Sequence, residues 1–99
     1  MIDSNSLIKY LSENKARYEK DYNLTKIGIF GSVARGEQTD DSDIDIVVEF
    51  KPNTPDLYSI KYRLKEEIQE KFKTSVDICR LKYIKPIFKQ MIQSDIRFV

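Results

Sequence analysis

Histidine is absent from these 99 residues, cysteine occurs once, and glycine and proline occur three times each. Without histidine there is no imidazole for acid–base work and no nitrogen ligand for zinc, so any proton acceptor is a carboxylate, a lysine, a tyrosine or water. The lone thiol, Cys79, cannot close an internal disulfide. No apolar run approaches the roughly 20 residues needed to span a bilayer, and no charged-then-apolar signal segment opens the chain. These absences predict a cytoplasmic protein with no membrane contact. An excess of one charge is missing too. Seventeen Lys and Arg against sixteen Asp and Glu leave a net charge of +1, which argues against a broad nucleic-acid footprint and suits a nucleotide-sized substrate. The length predicts a single domain, residues 1–99, that buries roughly 60–65% of the unfolded chain's surface. No internal repeat or low-complexity segment is visible.

What the chain does have is concentrated between Ile27 and Phe50. An apolar run, Ile27 to Phe30, ends at Gly31-Ser32, and a second, Ile44 to Phe50, begins with two aspartates, Asp43 and Asp45, one residue apart. Side chains alternate faces along a strand, so Asp43 and Asp45 project together, their Cα atoms roughly 6.8 Å apart, while Ile44, Ile46, Val48 and Phe50 take the other face. Two parallel acids raise one another's pKa unless a cation lies between them, and a divalent metal is the simplest resolution. Gly31 and Ser32 fall where a strand gives way to a helix. Free backbone N–H groups there can receive a phosphate, the glycine lets it approach closely, and the serine can cap the helix or offer its hydroxyl. A phosphate cradle beside paired acids points to phosphoryl or nucleotidyl transfer.

Two other phosphate and metal motifs fail on indispensable residues. Gly31 to Gly36 has P-loop spacing, but Glu37 and Gln38 follow where Lys and Ser or Thr are required. Asp41, Asp43 and Asp45 imitate the opening of a calcium loop, whose sixth and twelfth positions need Gly and Glu; this chain has Ile46 and Pro52.

The rest of the chain reads as support. Residues 4 to 22 predict a helix, with Ser4 or Ser6 as cap, Leu7, Ile8, Leu11 and Tyr18 on its apolar side, and Asn23 as a left-handed stop. Tyr10, Tyr18 and Tyr22 are expected to be partly buried with their hydroxyls in water. A strand, Lys26 to Phe30, leads into the short helix, where Arg35 either grips a triphosphate or pairs with Glu37 or Asp40, and Gly36 ends the helix. Glu37 to Ser42 is a polar loop in which Asp40 and Asp41 are solvated and Ser42 caps the turn into the strand or touches the nucleotide. Thr54-Pro55-Asp56 opens a helix in the order cap, first-turn proline, acid. That helix runs to about Phe72, burying Leu57, Ile60, Leu64, Ile68 and Phe72, with Glu67 facing Lys71 across one turn.

A third strand, Ser75 to Leu81, carries Asp77 between Val76 and Ile78, an acid that must face solvent or join the other two. Cys79 shares its face and is expected to be small and buried. Tyr83 to Ser94 predicts a last helix, with Ile84, Ile87, Phe88, Met91 and Ile92 apolar, Pro86 in the first turn, and Lys82, Lys85 and Lys89 solvated; Ile96 to Val99 can add an edge strand. This order predicts an α+β domain, a small mixed sheet with helices on one face and the acids on the open one.

Gly31-Ser32-Val33-Ala34-Arg35-Gly36 followed by Ser42-Asp43-Ile44-Asp45 resembles the hallmark of the DNA polymerase β-type nucleotidyltransferase superfamily: Gly-Ser, a short helix, then Asp-x-Asp on the next strand. The likeness is stronger to its minimal nucleotidyltransferases, small proteins often paired with HEPN-domain partners. The resemblance implies a polymerase β-like fold, a third carboxylate at Asp77, with Glu49 as rival, and two Mg²⁺ ions about 3.5–4 Å apart held by Asp43, Asp45 and Asp77. It implies nucleotide contacts from Gly31, Ser32, Arg35 and Ser42. It further implies the antitoxin of a toxin–antitoxin pair, which transfers AMP from ATP to a tyrosine of its HEPN toxin. Two alternatives stay open: an antitoxin that only occludes its partner, and an enzyme that modifies a small molecule.

Overall fold

The first helix forms over Ser4–Asp21 (α1) in the computed structural model, which describes residues 3–37, 43–83 and 96–99. Its cap is not Ser4 or Ser6. Asp3 is extended, and its carboxylate accepts the Asn5 N–H at 3.1 Å, so an aspartate one residue earlier satisfies a first-turn donor. Asn23 stops the helix with φ 56, as expected. Leu7, Leu11 and Tyr18 form its fully buried stripe.

The chain continues as β1 (Leu24–Phe30), α2 (Gly31–Arg35), β2 (Ile44–Phe50), α3 (Leu57–Phe72), β3 (Val76–Arg80), a 3-10 turn over Leu81–Tyr83, and β4 (Arg97–Phe98). Strand β1 starts two residues earlier than Lys26, because Leu24 pairs with Phe50 across an irregularity between Leu24 and Lys26. The opening of α3 differs more. Thr54 donates its hydroxyl to the Lys51 carbonyl at 2.6 Å, so it serves the preceding turn, and the helix begins at Leu57 after Asp56 in a left-handed conformation without a side-chain cap bond. Pro55 therefore precedes the helix. Except for Tyr83, which closes the 3-10 turn, the helix expected over Tyr83 to Ser94 lies outside the described residues.

The sheet order is β3-β2-β1-β4, with β1 antiparallel to β2 and to β4, and β2 parallel to β3. Parallel neighbours need a crossover, and α3 supplies it. Ile27 and Ile29 of β1, Ile44, Ile46 and Val48 of β2, and Val76 and Ile78 of β3 join Leu7, Leu11, Tyr18, Ile60, Leu64 and Ile68 in one core. Both long helices thus cover the same sheet face, giving the expected small mixed α+β fold. The opposite face is less open than expected, since Val47, between Asp45 and Glu49, is fully buried. Among the described residues no helix is long and apolar enough to cross a membrane.

The three tyrosines of the N-terminal region depart from expectation. Their hydroxyls are not left to water but converge on Glu67 of α3: Tyr18 donates at 2.5 Å, Tyr10 at 2.9 Å and Tyr22 at 3.4 Å, while Arg17 adds a charged contact at 2.8 Å. Glu67 consequently does not serve Lys71, whose ammonium lies over the Tyr10 ring instead. Burial alone would raise the Glu67 pKa, but the bonds from Arg17, Tyr18 and Tyr10 overcome it and hold the carboxyl below its usual range. Burial first, and then Glu67 itself, push the Tyr18 and Tyr10 hydroxyls upward.

The signs of these shifts define a pH window. A depressed Glu67 stabilises the fold above its ordinary value of 4.5, and that contribution is lost as pH falls through the folded value. The raised tyrosines contribute below their ordinary value of 10.0, and that is lost at higher pH. Stability measured by urea unfolding should be flat between these limits and fall on either side, with a shallower acid arm in Glu67→Gln. An identical acid arm in that variant would show that Glu67 is not tied to α1 in this way.

Candidate active site

The parallel register of β2 and β3 sets Asp45 directly beside Asp77. Paired residues on neighbouring strands share a face, so the two carboxylates project together, with Asp43, exposed just before β2, two residues along the same side. Electrostatics agrees with that placement. Burial raises the Asp45 pKa, the charges of Asp77 and then Asp43 raise it further, and Arg35 partly offsets them. Among the described residues no three carboxylate or thiol groups stand close enough to hold an ion as they are. The sheet brings three acids to one corner without closing them into a finished coordination sphere. The donors fit a hard divalent cation: they are carboxylate oxygens, two of them on exposed residues, with Asp45 accumulating negative charge that a cation would relieve.

Gly31 touches this corner from the other side. Phe30, the last residue of β1, pairs with Asp45, and Gly31 then turns the chain into α2 with φ 76. A Cβ on Gly31 would run into the Asp45 carboxylate, lying 3.2 Å from its Cγ. Both the backbone angle and the contact therefore require glycine. Gly31→Ala is expected to cost about 1–2 kcal/mol in backbone strain and, by displacing Asp45, to slow turnover up to about 100-fold. Thermal melting together with catalytic turnover checks this, and unchanged turnover in the alanine variant would disconnect Gly31 from the acids.

Ser32 is the second residue of α2. It makes no side-chain cap, which the extended Phe30 leaves unfilled; its carbonyl accepts the Glu37 N–H at 2.9 Å, leaving the hydroxyl without a hydrogen-bond partner among the described residues. Gly36 ends the helix at φ 73, as expected. Arg35 pairs with Glu37 at 3.0 Å, through side chains 41% and 66% exposed. Such an exposed pair contributes about 0–1 kcal/mol. Ser42, with Asp40 and Asp41, lies outside the described residues.

Glu49, the rival third carboxylate, has other partners. It accepts from Arg80 at 3.0 Å, from the Lys82 N–H at 2.7 Å and from the Phe50 N–H at 3.2 Å. Burial would raise its pKa, but the Lys82 and Arg80 bonds hold it low, so it fastens the 3-10 turn to the sheet. Cys79, opposite Val47, is half-buried, and burial followed by the charges of Asp77 and Asp45 pushes its thiol upward. A thiol kept protonated is no nucleophile. What the linear pattern did not reveal is that Asp77 also borders α3, where Tyr58, Lys61, Tyr62 and Lys65 approach it. Nothing local in the sequence indicates which strand they face.

The family model described as nucleotidyltransferase domain matches residues 7–99. The chain is 38% identical over 90 residues to a Methanocaldococcus jannaschii protein provisionally named as a protein adenylyltransferase, with 90% of each covered. It is 35% identical over 51 residues, 52% of each chain, to protein adenylyltransferase MntA of Thermococcus cleftensis. A solved structure provisionally described as a minimal nucleotidyltransferase superposes with a TM-score of 0.77 at 25% identity, over 97% of this chain and 95% of that one. A crystal structure of a toxin–antitoxin with AMP-PNP superposes with a TM-score of 0.66 at 26% identity, over 98% of this chain and 72% of that one.

Proposed function

We propose, from the premise that this chain belongs to the nucleotidyltransferase domain family and is a nucleotidyltransferase of its minimal type, that it is an antitoxin which adenylylates a tyrosine of its HEPN-domain toxin. The observation that carries the reading is the in-register pair Asp45 and Asp77, with Asp43 beside them and Gly31 against Asp45. Relatives named as protein adenylyltransferases, and a structural neighbour solved as a toxin–antitoxin with AMP-PNP, support AMP as the transferred group and a toxin as acceptor.

Asp43, Asp45 and Asp77 would hold Mg²⁺, which when bound supplies Lewis-acid polarisation and neutralises charge on the phosphates. The chain's own groups do the rest. The backbone at Gly31 and the Ser32 hydroxyl hold the terminal phosphates, and the Arg35 guanidinium adds a forked contact to a phosphate oxygen. These contacts strengthen as negative charge moves onto the leaving group. Asp77, on the strand at the end of the sheet order, takes the proton from the acceptor hydroxyl. The tyrosyl oxygen then bonds to the α-phosphorus, the bridging bond to the β-phosphate breaks, and pyrophosphate leaves.

Mass spectrometry of the toxin after co-expression tests the reading. It should carry AMP on tyrosine with this protein and none when the protein is omitted. A toxin that is inhibited yet unmodified would favour neutralisation by occlusion.

A further inference from the structure

Asp77 borders two surfaces. On one side stand Asp45 and Asp43; on the other a groove of about 200 Å³ opens between α3 and β3, lined by Tyr58, Lys61, Tyr62, Lys65, Asp77 and Ile78. The four helical residues are two i,i+4 pairs, Tyr58 with Tyr62 and Lys61 with Lys65, so they form adjacent rows along one helix. Tyr58 is 84% exposed and Tyr62 56% exposed. Aromatic rings held in water beside a concave surface mark a contact site more often than scattered apolar residues do. Among the described residues neither lysine has a carboxylate partner. Strand β3, under this helix, is the last in the sheet order.

We propose that this groove seats the acceptor segment of the partner protein, and that the segment carries its tyrosine among acidic residues. The proposal rests on the transfer reading above and adds the chemistry of the acceptor. Two ammonium groups that make no ion pair among the described residues attract carboxylates. Asp77, which lines the groove, is also the acid beside the reaction centre, so an acceptor held by the lysines has its hydroxyl delivered to the proton-accepting end. Tyr58 and Tyr62 offer flat, stiff rings that a bound tyrosine can lie against with little loss of side-chain freedom. A single strand of RNA could use the same rings and charges, but among the described lining residues it would meet two lysines, in a chain of net charge +1, whereas nucleic-acid sites neutralise many phosphates.

The test uses the full chain, ATP and three dye-labelled peptides that differ only in whether glutamate, serine or lysine flanks one central tyrosine. Fluorescence anisotropy reads binding, and mass spectrometry reads AMP transfer. The glutamate-flanked peptide should bind and be modified about tenfold better than the lysine-flanked one, and Lys61→Glu with Lys65→Glu should reverse that order. Tyr58→Ala with Tyr62→Ala should weaken all three, with melting curves confirming that both variants fold. Equal binding of the three peptides, or binding of none, overturns the proposal. So does tighter, lysine-dependent binding of a short single-stranded oligoribonucleotide, which would give the groove to RNA. Charge-blind AMP transfer would sink the groove and keep the transfer reading. Lysine-dependent binding of the acidic peptide without AMP transfer would do the reverse.

Discussion

Asp43→Asn combined with Asp45→Asn is expected to slow nucleotide transfer by at least about 10³-fold, roughly 4 kcal/mol of barrier, while the protein stays folded. Neither side chain is part of the core, and Asp43 is exposed. Asp45 is disfavoured as an anion by its burial and by Asp77 and Asp43, so replacing two acids with amides relieves strain on the fold. Activity and stability should therefore separate: the melting temperature holds or rises while turnover collapses. An amide offers a neutral oxygen, so the double variant removes two of the negative charges that would hold a hard divalent cation. A double variant that turns over at a normal rate would place the chemistry elsewhere. One that has lost activity only because it melts would leave the assignment of the acids without support.

Glu67→Ala is expected to cost about 2–3 kcal/mol, the largest effect of any change outside the core, because it strips the acceptor from several donors at once. Tyr18 is fully buried, so its hydroxyl has no ready access to water once Glu67 is gone. Arg17 is 41% exposed and can rehydrate, which keeps the estimate below that for a fully buried pair. For a domain of this size the loss corresponds to a melting temperature roughly 10–20 °C lower. Glu67→Gln keeps the volume and one acceptor, and should fall between the two. Differential scanning calorimetry of the three proteins decides it. An alanine variant that melts with the wild type would mean that the hub is a surface arrangement with little net worth.

These two sites were unequally visible in the linear chain. The acids follow from a period of two: Asp43 and Asp45 flank Ile44, Asp77 sits between Val76 and Ile78, and alternation alone puts each on the non-core face. That Asp45 and Asp77 are direct neighbours depends on register, which only the assembled sheet fixes. Glu67 shows the opposite case. Local spacing offered Lys71, one turn away, but partners 57, 50 and 49 residues distant outcompete it, because packing α1 beside α3 brings three hydroxyl or guanidinium donors to one oxygen. Helix starts were misread for a similar reason. Asp3 and Thr54 are both good cap residues, and which one caps depends on a turn geometry that composition does not encode. The apolar stripe of α3 was legible, but the placing of Tyr58, Lys61, Tyr62 and Lys65 around a groove with Asp77 was not.

Nucleotidyl transfer at Asp43, Asp45 and Asp77 is attack on the α-phosphorus of the nucleotide, and isotope position reads it directly. Purified protein and its toxin should be incubated with magnesium and ATP labelled on either the α- or the γ-phosphate, with a chelator control. The prediction is that label from the α-position, and none from the γ-position, appears on the toxin, and that chelation abolishes it. Label arriving from the γ-phosphate, or α-label transferred equally well by the double Asn variant, would contradict nucleotidyl transfer at Asp43, Asp45 and Asp77.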